Sequence, residues 1–556
     1  MRKRKPRKDP GTSAADGLSP GCLLAFLQDP ASYPHRPEAV ELIQTHASYV
    51  ALAGDFVFKV KKPVDFGFLD FSSLEKRRFF CDEEVRLNRR LCPNVYEGVV
   101  PIARQNGTLA FGGGECVVEY AVHMKRLGDG CFLHQLLARH EVQQAHLDRL
   151  VEKLIAFYRA ESSSAEIAAW GRVERLRIST EENFEQTESF VGDLITRPAF
   201  EALRYATHRF YDQHAGLLNR RRVEGHLLDC HGDLHLEHMH LTPEAVCIYD
   251  CIEFNERLRY IDVASDVAFL AMDLDFNGRP DLSRYFTDRM AAARNDPDLF
   301  LLIDFYKGYR AYVRAKVESM RSAEPEVPEA ERQASRERAQ RYYRLALRYA
   351  VAGSAPLVVV VMGSVGTGKS TLARALGEGL GWEVVSSDRV RKEQAGVPLF
   401  ERGSEAQRAA LYAPERTAAT YAALRDRVVE RARAHQGTVL DATFGRRRHR
   451  AALRAVLRRE GIAYCFVELT ASNERVRARL REREAGEQVV SDARLEDVER
   501  LGAGYEGPDA LEEARHVVVD TARPLEATTL ETLKHLIRLE SAKAETMRGR
   551  VPGKQS

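Results

Sequence analysis

Residues 357–371 read LVVVVMGSVGTGKST, six apolar residues running straight into the glycine-rich segment Gly363-Ser-Val-Gly-Thr-Gly-Lys-Ser370 and then into TLARALGEGL. A continuous apolar run of this kind suits a strand buried on both faces of a parallel sheet. The glycines let the backbone bend so that successive N–H groups point into one concavity, and the helix that follows adds its positive N-terminal end. The product is a phosphate cradle made of Gly363, Ser364, Val365, Gly366, Thr367, Gly368, Lys369, Ser370 and Thr371. In such a cradle Lys369 reaches the β- and γ-phosphates and Ser370 holds Mg²⁺. The expected cofactors are therefore ATP and Mg²⁺.

Downstream of Pro356, short apolar strands alternate with helices: WEVVSSD (382–388), TVLDAT (438–443), YCFVEL (464–469) and HVVVD (516–520). This pattern predicts a doubly wound α/β layer. Ligands of open α/β sheets bind at the carboxyl ends of the strands, which places Asp388 beside a transferred phosphate. There it serves as the catalytic base for an attacking hydroxyl, with Arg391 for an anionic substrate group. A plain helix N-cap at Asp388 or Ser387 is the alternative. Asp441 closes the third strand and can position Mg²⁺ through water, and Thr443 can contact substrate or phosphate; an ordinary strand-end turn competes with both roles. Arg475, Arg479 and Arg483 recur at helical spacing and either close over the phosphates or lie on a solvated face with Arg–Glu pairs.

The segments GSVGTGKST, SSDRVRK, TVLDATF and RLRER…SDA resemble the P-loop kinases of the gluconate-kinase, polynucleotide-kinase and zeta-toxin type, over residues 356–525. The resemblance implies Asp388 as base, Arg391 as substrate or phosphate contact, and Arg479 and Arg483 as lid residues. It does not fix the substrate.

A second cluster is His231-Gly-Asp-Leu-His-Leu-Glu-His238, with Asp250 ending the short strand AVCIYD. Two carboxylates on neighbouring loops suit phosphoryl transfer, one orienting an acceptor hydroxyl and one holding Mg²⁺. The order resembles the aminoglycoside-phosphotransferase branch of the protein-kinase-like fold, whose signature is HGDLHxxN followed by an Asp-bearing strand. Asp233 then takes the catalytic position and Asp250 a metal position. The family's asparagine falls at His238, a poorer ligand for a hard cation than an amide oxygen. An altered metal site, a weaker activity, or a zinc or other transition-metal site built from His231, His235, His238 and His240 all stay open. Upstream, Lys59 in FVFKVKK is the expected phosphate-contacting lysine and Glu84 its partner, with Lys61 and Glu83 as rivals and plain surface charge as the bland alternative. Asp65-Phe66-Gly67 precedes the helix and is no counterpart of a kinase metal-binding triplet. The adenine hinge is expected near Glu119–Met124. The wider pattern THASYV…KVKKPVDFGFLDF…EEVRLNRRL…HGDLHLEH…YDCIEFN…DVASDVAFLAMDL resembles bacterial proteins that fuse such a domain to a P-loop kinase domain.

The expected fold class is thus α/β and α+β. A protein-kinase-like fold over 21–350 precedes a C-terminal P-loop doubly wound parallel sheet over 351–540, with disordered tails at 1–20 and 541–556. Local patterns predict strands at Gln44–Leu52, Phe56–Lys61 and Glu115–Leu127, a helix at Ser73–Leu91, mostly helix over 134–222, and a polar connector or exposed helix over 322–339.

Bulk properties bound the function. The 556 residues, 44 % hydrophobic and 29 % charged, suit several globular domains. No apolar run approaches the roughly 18 residues of a membrane span, and the basic start MRKRKPRKDP lacks the apolar core of a secretory signal. Nine cysteines without a CxxC pair predict reduced thiols and a cytoplasmic protein. A net charge of +2 argues against a general nucleic-acid binder, although Arg446-Arg447-Arg448-His449-Arg450 keeps a nucleic-acid end kinase open. The expected function is a tandem ATP-dependent phosphotransferase acting on a small-molecule hydroxyl acceptor. The alternative is a regulatory protein whose N-terminal domain senses nucleotide without turnover. Neither the acceptor nor the oligomeric state can be read from the sequence.

Overall fold

The computed structural model describes residues 19–114, 116–401, 404–484, 504–508 and 515–548, and it shows the side chain of Arg479 but not that of Arg483. Two compact units emerge. The first comprises residues 1–170 and 224–266, the second 171–223 and 267–556.

The first unit is built on a six-stranded antiparallel sheet. Its strands are β1 (Val40–Gln44), β2 (Ser48–Ala53), β3 (Phe56–Lys61), β4 (Tyr96–Gln105), β5 (Thr108–Phe111) and β6 (Cys116–Lys125), in the order β1-β2-β3-β6-β4-β5. The predicted strand 44–52 is in fact the end of β1, a turn and β2. Thr45 makes that turn: its Oγ1 accepts from Ser48 N at 3.0 Å and its own amide donates to Ser48 O at 2.9 Å. The β2–β3 turn falls at Gly54, whose φ of +61° suits glycine. One face packs Leu27, Tyr33, Phe58, Ile102 and Ala121 into a core. The other receives the helix Leu74–Asn88, capped by Ser73, whose hydroxyl accepts from Lys76 N at 3.2 Å. Beyond the sheet lie β7 (Leu227–Asp229), β8 (Met239–Leu241), β9 (Val246–Ile248) and β10 (Tyr260–Asp262), paired β10-β7 and β8-β9. Cys92 and Cys247 are joined by a disulfide. This corrects the all-thiol expectation, since a pair 155 residues apart leaves no spacing signature.

The second unit holds long helices, among them Arg197–Val223, Leu299–Ser322 and Glu329–Ala352, and a five-stranded parallel sheet. The polar stretch 322–339 is largely the start of the last of these helices. The sheet is formed by β11 (Leu357–Gly363), β12 (Glu383–Ser386), β13 (Thr438–Asp441), β14 (Ala463–Thr470) and β15 (His516–Asp520), ordered β12-β13-β11-β14-β15. All seven residues of β11 are buried, as its unbroken apolar sequence requires. Val358 and Val360 of this strand form a core with Leu440, Leu453 and Phe466, each contributing on the order of 1.5–3 kcal/mol by burial. The helix Leu525–Arg548 extends into the expected tail at 541–556. Residues 1–18 and 549–556 lie outside the described residues, as does the SDA segment at 491–493. Among the described residues no helix is long and apolar enough to cross a membrane.

Candidate functional sites

In the second unit, β11 feeds the cradle and the helix Lys369–Leu380 leaves it. Gly363, Gly366 and Gly368 have φ of +133°, +78° and +96°. A Cβ at Gly366 would stand 2.8 Å from Val476 Cγ1, and one at Gly363 would stand 2.5 Å from Leu469 O. Only glycine meets both the dihedral and the space requirement. Lys369 Nζ donates to Ser364 O across the loop at 2.8 Å, and Thr367 Oγ1 donates to the same carbonyl at 2.8 Å. Gly363 N donates to Thr443 O at 3.3 Å, tying the mouth of the cradle to the end of the β13 segment.

Parallel registry sets the neighbours. Val361 of β11 and Ser386 of β12 both pair with Asp441 of β13, so the three strand ends open on one edge. Burial raises the Asp441 carboxyl, and Lys369 together with a hydrogen bond from Ser370 works against that rise. The charge of Asp388 adds to the rise. Asp388 sits in the first turn of the helix Ser387–Ala395, whose cap is Ser386 with no side-chain capping bond. The N-cap alternative for Asp388 and Ser387 is therefore set aside. Asp388 Oδ1 instead accepts from Arg391 Nη1 at 2.9 Å, and Tyr412 OH donates to the same oxygen at 3.4 Å. Arg391 is buried, with its guanidinium 4.3 Å from the Tyr412 ring centroid, and its Nε has no hydrogen-bond partner among the described residues.

Arg479 is half-buried and does not lie on a solvated face of Arg–Glu pairs. Nη1 donates to Thr367 O at 3.1 Å and to Thr521 Oγ1 at 2.9 Å, and Nη2 donates to Thr521 O at 2.8 Å. It braces the cradle from behind, while Arg475 on the same helix is exposed. The lid expectation for Arg483 concerns a side chain outside the described residues. The basic run at 446–450 is used internally: Arg446 pairs with Glu506 at 3.2 Å, Arg447 Nε donates to Gly507 O at 3.2 Å, and Arg450 is buried and donates to Phe444 O at 2.8 Å. Arg446 and Arg447 thus hold the 504–508 segment, and Arg450 ties Phe444 to Gly507. Thr521 and Tyr412 were not foreseen, because a lone threonine or tyrosine carries no spacing signal.

In the first unit, β3 and the helix Leu74–Asn88 bring Lys59 Nζ to 2.8 Å from Glu84 Oε1. Lys59 Nζ also donates to Asp250 Oδ1 at 2.7 Å. Lys61 competes as expected, reaching Glu84 Oε2 at 2.7 Å and pairing with Glu253. Glu83 pairs outward with Arg86 and is no rival. Burial opposes the charge on Lys59, but Asp250, Glu84 and Glu253 outweigh it and raise its pKa well above the ordinary lysine value. Burial likewise pushes the Asp250 carboxyl up, and Lys59 and His238 overcome it and hold the group below the usual carboxylate range. Asp250 has a φ of +61°, an arrangement that costs a non-glycine residue about 1–2 kcal/mol and often marks a functional position.

The 231–238 loop is held from below by a residue the sequence reading missed. Asp266 accepts from His231 N at 3.1 Å, Gly232 N at 2.9 Å and Tyr158 OH at 2.8 Å. A fully buried acid inside the apolar run VASDVAFL was the available signal. Glu253 and Asn88 were missed as well; Asn88 Oδ1 accepts from Cys251 N at 2.8 Å. The four-histidine zinc site does not assemble: His231 Nε2 donates to Tyr249 O at 2.9 Å and His240 Nε2 donates to Gly128 O at 2.9 Å. Burial holds His238 down to a pKa of about 4, so its ring is neutral at physiological pH. Glu119, at the expected hinge, is buried and takes both 2.9 and 2.8 Å bonds from Arg77 Nε. Asp65-Phe66-Gly67 is a turn in which Gly67 N donates to Asp65 Oδ1 at 2.8 Å.

The cradle and its sheet define a P-loop domain. In agreement, a family model described as AAA domain, AAA_33, matches residues 358–508. Uncharacterized protein Rv2004c of Mycobacterium tuberculosis (strain ATCC 25618 / H37Rv) is 32 % identical over 424 residues, covering 75 % of this chain and 80 % of that protein. Uncharacterized protein Mb2027c of Mycobacterium bovis matches with the same identity and coverage. The chain belongs to the family of these mycobacterial proteins. Two solved structures are also similar: a gluconokinase from Sinorhizobium meliloti 1021 (25 % identity, 35 % of this chain, 98 % of that chain, TM-score 0.25) and a sugar kinase from Janibacter sp. HTCC2649 (22 %, 34 %, 97 %, 0.25).

Proposed function

We propose that this protein is a tandem ATP-dependent phosphotransferase. The P-loop domain is the better-equipped half: it transfers a phosphoryl group from MgATP to a hydroxyl of a small molecule. The observation that carries this reading is the gathering of Lys369, Ser370, Asp441 and the Asp388–Arg391 pair at the carboxyl edge of one parallel sheet. MgATP supplies the transferable phosphoryl group and its charge-neutralising cation. The glycine cradle is shaped for phosphates, because a Cβ would fill it. Ser370 and Asp441 are the residues for the cation, Asp441 acting through water. Lys369 neutralises charge on the terminal phosphates. Asp388 accepts the hydroxyl proton, and the orphaned Nε of buried Arg391 gives an anionic substrate group a donor. Thr443 lines the acceptor side.

The first unit is read as a kinase-like phosphotransferase domain, with Asp233 as base, the Lys59–Glu84 pair at the phosphates, and Asp250 and His238 at the cation. The Lys59–Glu84–Asp250 chain supports it. The near-neutral charge and the internal use of Arg446, Arg447 and Arg450 weigh against nucleic acid as acceptor. Lys369→Ala and Asp233→Asn proteins, assayed singly for ATP consumption, test the two halves. Lys369→Ala is expected to remove the P-loop share and Asp233→Asn the other. Turnover unchanged in Lys369→Ala contradicts the cradle assignment. Binding and turnover both unchanged in Asp233→Asn leave the first unit as a regulatory nucleotide-binding domain or less.

A further inference from the structure

Two imidazoles and one carboxylate gather in the first unit, and a second carboxylate, Asp250, stands beside one of the rings. Asp233, His235 and His238 each place a donor atom within 4.8 Å of the other two. His235 Nε2 lies 3.4 Å from Asp233 Oδ2. His238 Nδ1 donates to Asp233 O at 2.9 Å. A carbonyl only accepts, so Nδ1 carries the hydrogen and Nε2 is the ring's ligating atom. A ring N–H fixed on a backbone carbonyl is the support that orients metal-binding histidines. That Nε2 stands 3.5 Å from Asp250 Oδ2, while the other oxygen of Asp250 is engaged by Lys59. Separations of this size allow one small ion to touch more than one of these atoms at the roughly 2 Å bond lengths of nitrogen and oxygen ligands.

The donor chemistry selects the cation. Mg²⁺ takes near-octahedral oxygen sets and gains little from imidazole. First-row transition dications accept imidazole readily, and their affinity for mixed nitrogen–oxygen sites rises from Mn²⁺ through Co²⁺ to Cu²⁺. We infer that Asp233, His235, His238 and Asp250 form a mixed nitrogen–oxygen site that takes a first-row transition dication in preference to Mg²⁺. The inference deepens the phosphotransfer reading of the first unit and rests on it for the role of the ion, though not for its ligands. Mn²⁺ is the weakest binder of that series, so a preference for Mn²⁺ over Mg²⁺ implies the same for the rest.

The test is pulsed electron paramagnetic resonance of Mn²⁺ added to the metal-stripped full-length protein without nucleotide. Bound Mn²⁺ is expected to show ¹⁴N coupling from ring nitrogens and to stay bound against excess Mg²⁺. His235→Asn and His238→Asn are each expected to lose part of the coupling, and the double variant all of it together with the retention. Melting curves that match the wild type certify the fold of the variants. Absence of ¹⁴N coupling in the wild-type protein overturns the inference and needs no variant. So does coupling that survives in the double variant, or Mg²⁺ displacing Mn²⁺ from the wild type as readily as from the double variant. If ¹⁴N coupling is present while Asp233→Asn leaves ATP consumption unchanged, the cation site stands and the phosphotransfer reading of the unit falls.

Discussion

Asp388 and His231 show how much a single side chain can decide. The Asp388 carboxylate accepts from Arg391 and Tyr412, and its charge adds to the rise of the Asp441 carboxyl. As a general base it is worth about 10²–10⁴-fold in rate. Asp388→Asn should therefore lower kcat of the P-loop activity by that factor with KM little changed, read in steady-state kinetics; an undiminished kcat removes Asp388 from the chemistry. His231 is fully buried, donates from Nε2 to Tyr249 O, and accepts at Nδ1 from Asp233 N at 3.3 Å. Burial lowers its pKa below the ordinary histidine value of 6.5, so the unfolded chain binds the extra proton first. Its contribution to stability is then complete above pH 6.5 and is lost as pH falls through the lowered value. Denaturant titrations across that range should show stability falling toward acid, with a shallower slope in His231→Gln; an equal slope contradicts the assignment. Lys369, Asp388, Asp233 and Asp250 could be singled out as candidates because each sits at a fixed offset in a motif. Asp266 and Glu253 were not, since their roles come from burial against loops distant in sequence.

The helix Leu74–Asn88 illustrates what an element adds. It aims Glu84 inward at two lysines and Glu83 outward at Arg86, a choice made by one step of helical phase. Glu84 is fully buried, and both Lys59 and Lys61 lean on it. Glu84→Gln removes the charge shared by two buried ammonium groups and should destabilise the first unit by about 3–5 kcal/mol. Glu83→Gln should cost no more than about 1 kcal/mol, because its partner Arg86 is exposed and free to turn to solvent. Equal losses in urea denaturation of the two variants would contradict this phase. The sequence could place the helix but left Glu83 and Glu84 as rivals, since both precede the same turn. The parallel strands were readable from continuous apolar runs. β4 was missed because Gly98 and Pro101 read as breakers; register shifts at Tyr96/Gly98 and Ile102/Ala103 absorb the irregularity. The β1–β2 turn was missed because Thr45, His46 and Ala47 carry none of the usual glycine, proline or asparagine signals.

For the whole molecule, the chain does not divide at one point. Residues 171–223 and 267–352 group with the P-loop domain by compactness, whereas a motif-based reading cuts near 350. Helical segments of mixed polarity bear no mark of which core they join, so the sequence marked the two candidate sites more clearly than the boundary between the units. Each proposed site has its set of candidate side chains, and the P-loop set is the more complete. The most direct measurement follows label from γ-³²P-ATP into products when the full-length protein is incubated with a small-metabolite extract. The account predicts a labelled small molecule that persists in Asp233→Asn and disappears in Lys369→Ala. Label released only as inorganic phosphate, or every labelled product undiminished in Lys369→Ala, would contradict it.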